Sequence, residues 1–424
     1  MLKSLLGGSS LYLVANVTNA AIPFLLLPIL TRELTTAEYG IYAMYQVLVW
    51  LATPLVGIST HSAVARRYID RDEMDFPRFV GSVFVIAAVS LAVVMAGVIV
   101  FGDAIFKVTD FPGRWLPAVV GVAAFQFSLL VLLSIWRMQN RPAIYGVTLV
   151  ARTALYFGLS IVFVVALAWG WQGVVVGQLI AFATFAVVAF VVLVRAGLLV
   201  PSFSWPDAKT AIAFGAPLIP HAVASWVLFA TDRLFITNMI GTAELGIYAA
   251  GYQIANVVGV LQNSFNQAWV PWFYARLREG DSDVDRSVVR ITYAYFVALL
   301  AVVGVVTLLA PVVVPWIVGP DFAGAEQFVG WIALGFGFNG MYKMASNYFF
   351  YVERTVFLGA STVLAAILNV FLNWALIRAN GSLGAAQATA ASLFVSFLIV
   401  WAVAARIHRM PWRAALLRST EKVG

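Results

Sequence analysis

Apolar runs of about 20 residues recur along the whole chain, divided by short polar segments. A helix needs roughly 20 residues to cross the hydrocarbon core of a bilayer. The pattern therefore predicts about twelve transmembrane helices, over residues 9–31, 41–63, 79–101, 115–136, 143–168, 172–194, 210–237, 244–270, 288–315, 325–350, 355–377 and 383–405. The least marked boundary is the short polar gap from Thr237 to Glu244. The longest loops, near 65–78, 102–114 and 275–287, run to about a dozen residues and leave no room for an extramembrane domain. The first run follows a single lysine and precedes no small-residue cleavage site, so it reads as a retained helix rather than a signal peptide. The expected fold class is an all-α integral membrane protein.

Composition agrees with this pattern. Of 424 residues, 62% are hydrophobic and 11% charged, whereas a soluble domain carries about 25% charged residues. The net charge of +7 resides in the segments between apolar runs, with no basic stripe interleaved with aromatics, so nucleic acid is excluded as a partner. With the N-terminus inside, the inner segments hold Lys3, Arg66, Arg67, Arg71, Arg78, Arg137, Arg141, Arg195, Lys209, Arg276, Arg278, Arg286, Arg290, Arg354, Arg406, Arg409, Arg413, Arg418 and Lys422. The outer ones hold Arg32, Lys107, Arg114, Arg233 and Arg378. The bias is 19 against 5, which predicts both termini on the cytoplasmic side. Many tryptophans, Trp115, Trp136, Trp269 and Trp316 among them, fall at span ends as interfacial anchors do.

A repeat organises the chain. Residues 31–43 read TRELTTAEYGIYA and residues 237–249 read TNMIGTAELGIYA. A second echo pairs NRPAIYG from Asn140 with ERTVFLG from Glu353, and a third pairs Gly173 with Gly384. Each is offset by a little over 200 residues, or six spans. An even number of spans gives both halves the same orientation, a parallel repeat about an axis along the membrane normal. Two six-helix lobes are expected, over 1–200 and 201–424, with alternating access around a central cavity. Glu38 and Glu244 suit helix N-termini, and Gly40 and Gly246 read as residues for a tight turn or helix start.

Polar residues at spacings of three, four or seven mark faces on six spans. The positions are Tyr12, Asn16, Asn19 and Pro23 on the first; Gln46, Thr53 and His61 on the second; Tyr145, Thr148, Arg152 and Tyr156 on the fifth. Pro217, His221, Ser225 and Asp232 follow on the seventh; Gln253, Asn256, Asn263 and Gln267 on the eighth; Asn339, Lys343 and Asn347 on the tenth. Two readings stand side by side: lining of a polar cavity, or hydrogen-bonding glue between helices at about 0.6 kcal/mol each. Arg152 and Lys343 are sharper. A cation at mid-membrane costs at least about 2.5–3.5 kcal/mol, and each lies roughly 14 Å along its helix at 1.5 Å per residue with no acid in its own span. They persist by facing water, a counter-charge or a ligand, or by snorkelling to the interface.

The segments LTRELTTAEYGIY (Leu30–Tyr42), ATDRLFI (Ala230–Ile236), ELGIYAAGYQIA (Glu244–Ala255) and NGSLGAAQATAAS (Asn380–Ser392) resemble the polysaccharide-biosynthesis flippases of the O-antigen (Wzx) translocase type. These belong to the MOP superfamily, with the MATE multidrug exporters and the lipid II flippases. The resemblance covers nearly the whole chain. It implies an undecaprenyl-diphosphate-linked sugar repeat unit as substrate, a bacterial inner-membrane location, and a cationic cavity bounded by helices 1, 2, 7 and 8. Lipid II flippases usually have two further helices, for which this chain has no room. On this reading Arg152 and Lys343 attract the diphosphate. Arg32–Glu33 and Asp232–Arg233 form a gate or simple helix-end ion pairs, with Asp232 as a carrier for a coupling proton or sodium ion. Other polysaccharide-assembly membrane proteins are compatible partners. The rivals are a MATE-like cation antiporter, for which a more acidic cavity is expected, and a membrane ligase or polymerase, for which a large outer loop is expected. The chain has no cysteine, three histidines, and no phosphate-loop, HExxH or GxSxG motif, so no cofactor and no enzymatic chemistry are expected.

Overall fold

The computed structural model describes residues 18, 24–279, 282–352, 354, 356–408 and 410–412. Among these the fold is helical: α1 (24–33), α2 (Thr36–Leu55), α3 (His61–Arg67), α4 (Phe76–Val100), α5 (Gly102–Thr109), α6 (Leu116–Met138), α7 (Pro142–Ile161) and α8 (Gly170–Arg195), then α9 (Trp205–Gly215), α10 (Leu218–Met239), α11 (Thr242–Glu279), α12 (Ser282–Ile317), α13 (Glu326–Tyr351), α14 (Val356–Asn380) and α15 (Ser382–Ile407). Among the described residues, nine helical stretches are long and apolar enough to cross a membrane. The two expected spans among the described residues that fall short, α11 and α13, are long enough but less apolar. Large side chains stand bare along the outer faces, Leu308 and Trp316 each 79% exposed. Apolar exposure on this scale belongs against lipid.

Local sequence sets most helix starts. Thr35 caps α2 in a reciprocal box: the Glu38 N–H donates to its hydroxyl at 3.2 Å and the Thr35 N–H donates to the Glu38 carboxylate at 3.1 Å, satisfying donors that a helix start leaves open. Asp75 and Ser204 cap α4 and α9 by a single bond, accepting from the N–H of Arg78 and of Asp207, each followed by proline in the first turn, where its missing N–H costs nothing. α7 ends in a π-helical turn over Val162–Ala166.

Two expected spans are interrupted. The second does not run unbroken to residue 63. After Leu55 the chain passes through Gly57, Ile58 and Ser59 in the left-handed region, at φ of 78°, 51° and 53°, and α3 starts afresh at His61. The Ser90 hydroxyl accepts from the Gly57 N–H at 2.7 Å, and the Thr60 hydroxyl donates to the Gly57 carbonyl at 2.6 Å. These bonds satisfy the backbone groups that the break releases. The seventh expected span is likewise divided, between α9 and α10, at Ala216 and Pro217.

The described residues form two compact units. One holds residues up to Ala249 together with Val318–Phe322; the other holds Ala250–Ile317 and the residues from Ala323 onward. This division is one of packing and leaves the expected lobe boundary at residue 200 untested. In the first unit α6 packs against α2, α3, α4 and α8, and α7 lies along α8. Its core gathers Phe76, Phe79, Phe127 and Trp136. In the second, α15 packs against α13 and α14. A run of small buried residues on α15, Gly384, Ala385, Ala386, Ala388 and Ala390, permits this close approach, as interfaces between membrane helices require.

The sequence repeat meets itself in space. Within the first unit, a Cβ placed on Gly40 would stand 2.0 Å from the Thr242 carbonyl oxygen, and one on Gly246 would stand 1.9 Å from that of Thr36. The starts of α2 and α11 therefore cross in reciprocal contact, each glycine receiving the other helix's first carbonyl. This corrects the turn reading of these glycines. Both lie inside helices and are there to remove a side chain from a crossing. Glu38 and Glu244 do occupy first helical turns.

Candidate functional site

Arg152 lies in the middle of α7, beside α8. Its guanidinium lies over the Phe182 ring at 4.4 Å. Its Nε is buried with no hydrogen-bond partner, and among the described residues it joins no ion pair. The cation–π contact stabilises it by about 0.5–2 kcal/mol, which does not offset the cost of placing a cation at this depth. One helical turn further along, the Tyr156 and Tyr42 hydroxyls meet at 3.0 Å. The Gln46 amide donates to Tyr42 at 3.0 Å and to the Gln178 carbonyl at 3.2 Å. Ser160 adds a buried hydroxyl without a partner. The cation and the tyrosine–glutamine network thus share α7 and α8.

The second unit carries a different polar array. α11 and α13 are joined by three side-chain hydrogen bonds in register. Gln262 donates to Asn339 at 3.2 Å, the Lys343 ammonium donates to Asn263, and Asn347 donates to Asn266 at 3.0 Å. Members on α13 recur every four residues, which stacks them on one face. The Gln262 carbonyl oxygen is buried and unpaired, while Asn263 and Gln267 are exposed. Lys343, like Arg152, joins no ion pair among the described residues. Four of the sequence-predicted residues, Asn263, Asn339, Lys343 and Asn347, thus come together. Gln253 and Asn256 lie half-buried further back on α11.

A third feature is the ion pair at Asp232. This carboxylate is 1% exposed, and the Arg233 guanidinium meets it at 3.1 Å. The Tyr248 hydroxyl and the Arg233 backbone N–H also donate to it, and Arg233 donates in addition to the Phe229 carbonyl at 2.6 Å. Tyr248 is the repeat counterpart of Tyr42, so matched tyrosines serve different networks. A buried pair adds little net stability, yet breaking it leaves an uncompensated charge.

The other predicted residues are placed as follows. Gln46 belongs to the tyrosine network. His61 lies beyond the left-handed break, so it does not continue the Gln46 face. It stands edge-on to Phe127 at 6.3 Å, with Ser62 at 3.4 Å from its Nε2. His221 is exposed on α10, and Arg32 and Glu33 are exposed at the end of α1. Asn16 and Asn19 lie outside the described residues. Three participants escaped the sequence reading. Gln178 is a carboxamide deep in an otherwise apolar run, a signal in itself. Gln262 and Asn266 sit beside Asn263 and Gln267, and two adjacent polar pairs four residues apart polarise a broader face than single spacing suggests.

Residues 5–276, well over half of the chain, match the family model described as polysaccharide biosynthesis protein. The chain belongs to that family. This polysaccharide biosynthesis protein is 24% identical over 374 residues to the Lsg locus putative protein 1 of Haemophilus influenzae, covering 85% of this chain and 88% of the relative. It is 23% identical over 430 residues to the probable flippase AglR of Haloferax volcanii, covering 95% and 84%. It shares its fold with an inward-facing MATE multidrug transporter of the MOP superfamily, at a TM-score of 0.71, 16% identity and 94% of each chain. The lipid II flippase MurJ, in an inward closed conformation, matches at a TM-score of 0.70 and 13% identity, over 94% of this chain and 86% of that one. The chain is a multi-pass membrane protein with the fold of these two transporters.

Proposed function

We propose that this protein is a flippase that carries an undecaprenyl-diphosphate-linked oligosaccharide from the cytoplasmic to the periplasmic leaflet by alternating access. Family membership and similarity to a probable flippase support the reading. The observation that carries it is Arg152, a cation inside a membrane helix with an aromatic contact, a buried unpartnered Nε and, among the described residues, no ion pair. Arg152 and Lys343 attract the anionic head group, Arg as a planar fork and Lys as a point charge, while the polyprenyl tail stays in lipid. The carboxamides at 263, 266, 339 and 347 offer donors and acceptors to sugar hydroxyls.

The moving parts in this reading are two six-helix lobes, 1–200 and 201–424. The chain sits in a bacterial inner membrane with both termini cytoplasmic, a placement supported by the 19-to-5 distribution of basic residues. The protein is a transporter rather than an enzyme. Its direction comes from a proton or sodium gradient coupled through Asp232, or from removal of product outside.

The test is translocation in proteoliposomes of a fluorescent undecaprenyl-diphosphate oligosaccharide, with an impermeant reagent reporting its side. Protein-dependent exposure that falls at least tenfold in Arg152→Ala supports the assignment. Undiminished exposure in that variant removes the headgroup site, and no exposure with several sugar heads removes the flippase reading.

A further inference from the structure

In the first unit, α3 and α9 enclose a cavity of about 350 Å³ lined by Ala63, Arg66, Arg67, Thr210, Ala213 and Phe214. None of these residues belongs to the polar networks described above. Arg66 and Arg67 share a single carboxylate: Asp70 takes the Nη1 of Arg66 at 3.2 Å and the Nη1 of Arg67 at 3.3 Å. Two guanidinium charges against one carboxylate leave one positive charge uncompensated at the cavity wall. The remaining N–H groups of both forks have no partner among the described residues. Nearby arginines are balanced separately, Arg71 by Asp72 at 3.4 Å and Arg78 by Asp207 at 3.9 Å.

The α9 side is formed by Thr210, Ala213 and Phe214. Phe214 is 43% exposed, and Leu218, outside the lining at the start of α10, is 38% exposed. The segment leading into α9 is tied to the start of α4: the Val200 N–H donates to the Pro77 carbonyl at 3.2 Å, and the Ser204 N–H to the Ser82 hydroxyl at 2.9 Å. A basic pocket beside bare hydrocarbon at a membrane surface is the form that recognises an anionic lipid head. We infer that this cavity between α3 and α9 binds the head group of a resident anionic phospholipid, its phosphodiester on Arg66 and Arg67 and its acyl chain along Phe214 and Leu218. One surplus positive charge matches the single negative charge of a phosphodiester. A diphosphate carries more and would be left under-compensated.

The test uses the full-length protein in nanodiscs of phosphatidylglycerol and phosphatidylcholine, with retained lipid counted by native mass spectrometry. The wild type should keep phosphatidylglycerol in preference to phosphatidylcholine, and Arg66→Gln/Arg67→Gln should lose about one such lipid per chain. Arg71→Gln, whose charge is balanced elsewhere, should lose none. Asp70→Asn, which removes the shared carboxylate, should keep that lipid at a several-fold lower phosphatidylglycerol fraction, and this variant keeps the proposal testable if the double variant fails to fold. Equal retention of both lipids, an unchanged count in the double variant, or a fall in Asp70→Asn overturns the proposal. So does displacement of phosphatidylglycerol by equimolar undecaprenyl diphosphate, which would assign the cavity to the transported lipid instead.

Discussion

The crossing of α2 and α11 yields a prediction with a definite sign. Glycine inside a helix is unfavourable relative to alanine by about 1 kcal/mol, so Gly→Ala at an unobstructed helical position stabilises. At Gly40 the new Cβ would stand 2.0 Å from the Thr242 carbonyl oxygen, where ordinary contact begins at 3.4 Å. The shortfall is 3.4 − 2.0, about 1.4 Å, and the obstacle is backbone that no rotamer change can withdraw. Overpacking of this kind costs about 1–3 kcal/mol, enough to outweigh the propensity gain. Gly40→Ala and Gly246→Ala should therefore each lower the temperature at which the detergent-solubilised protein loses its monodisperse elution peak, by a few degrees. The double variant should cost less than the sum, because one separation of the helices relieves both clashes. Gly97→Ala on α4 and Gly304→Ala on α12, with nothing within 4 Å of the added carbon, should be neutral or slightly stabilising. Unchanged melting of Gly40→Ala and Gly246→Ala beside unchanged controls would refute the reciprocal contact.

Other consequences are as direct. Arg152→Lys keeps the charge but loses the planar fork over Phe182, so flipping should fall several-fold while still exceeding that of Arg152→Ala in the liposome assay. Tyr248→Phe removes a donor from buried Asp232 and should destabilise by about 1–3 kcal/mol, read as a lower melting point. Asp232→Asn should in addition abolish any stimulation of transport by an imposed proton or sodium gradient, whereas stimulation equal to wild type would exclude it as the coupling group. Asn347→Ala breaks one rung between α11 and α13 and should weaken use of the oligosaccharide more than of a single-sugar lipid, measured side by side.

Much of this architecture was legible because bilayer thickness imposes one length on every span. The runs 79–101, 115–136 and 172–194 correspond to α4, α6 and α8 within a few residues at each end. The interruptions were not legible. Gly57-Ile58-Ser59 contains one glycine and two residues that seldom turn left-handed, so nothing in its pattern announces the break, which a tertiary bond from Ser90 and a local one from Thr60 hold in place. That miss carried His61 onto the wrong face. The rung through Lys343 was readable because α13 keeps an unbroken four-residue period. Gln178 was missed because a single carboxamide generates no period. The glycines of the repeat were recognised as matched, but their purpose lay in a contact between segments some 200 residues apart, which spacing alone does not encode.

The break after Leu55 also has a mechanical meaning. A continuous helix transmits torque along its length, whereas three successive left-handed residues form a compliant joint whose backbone polar groups are met from the side. α2, with Tyr42 and Gln46, and α3, with Arg66 and Arg67, are then two separate rods laid on α6, the second also on α9. Strain arising at the polar network would be absorbed at Gly57–Ser59 and would not reach the arginines beyond it.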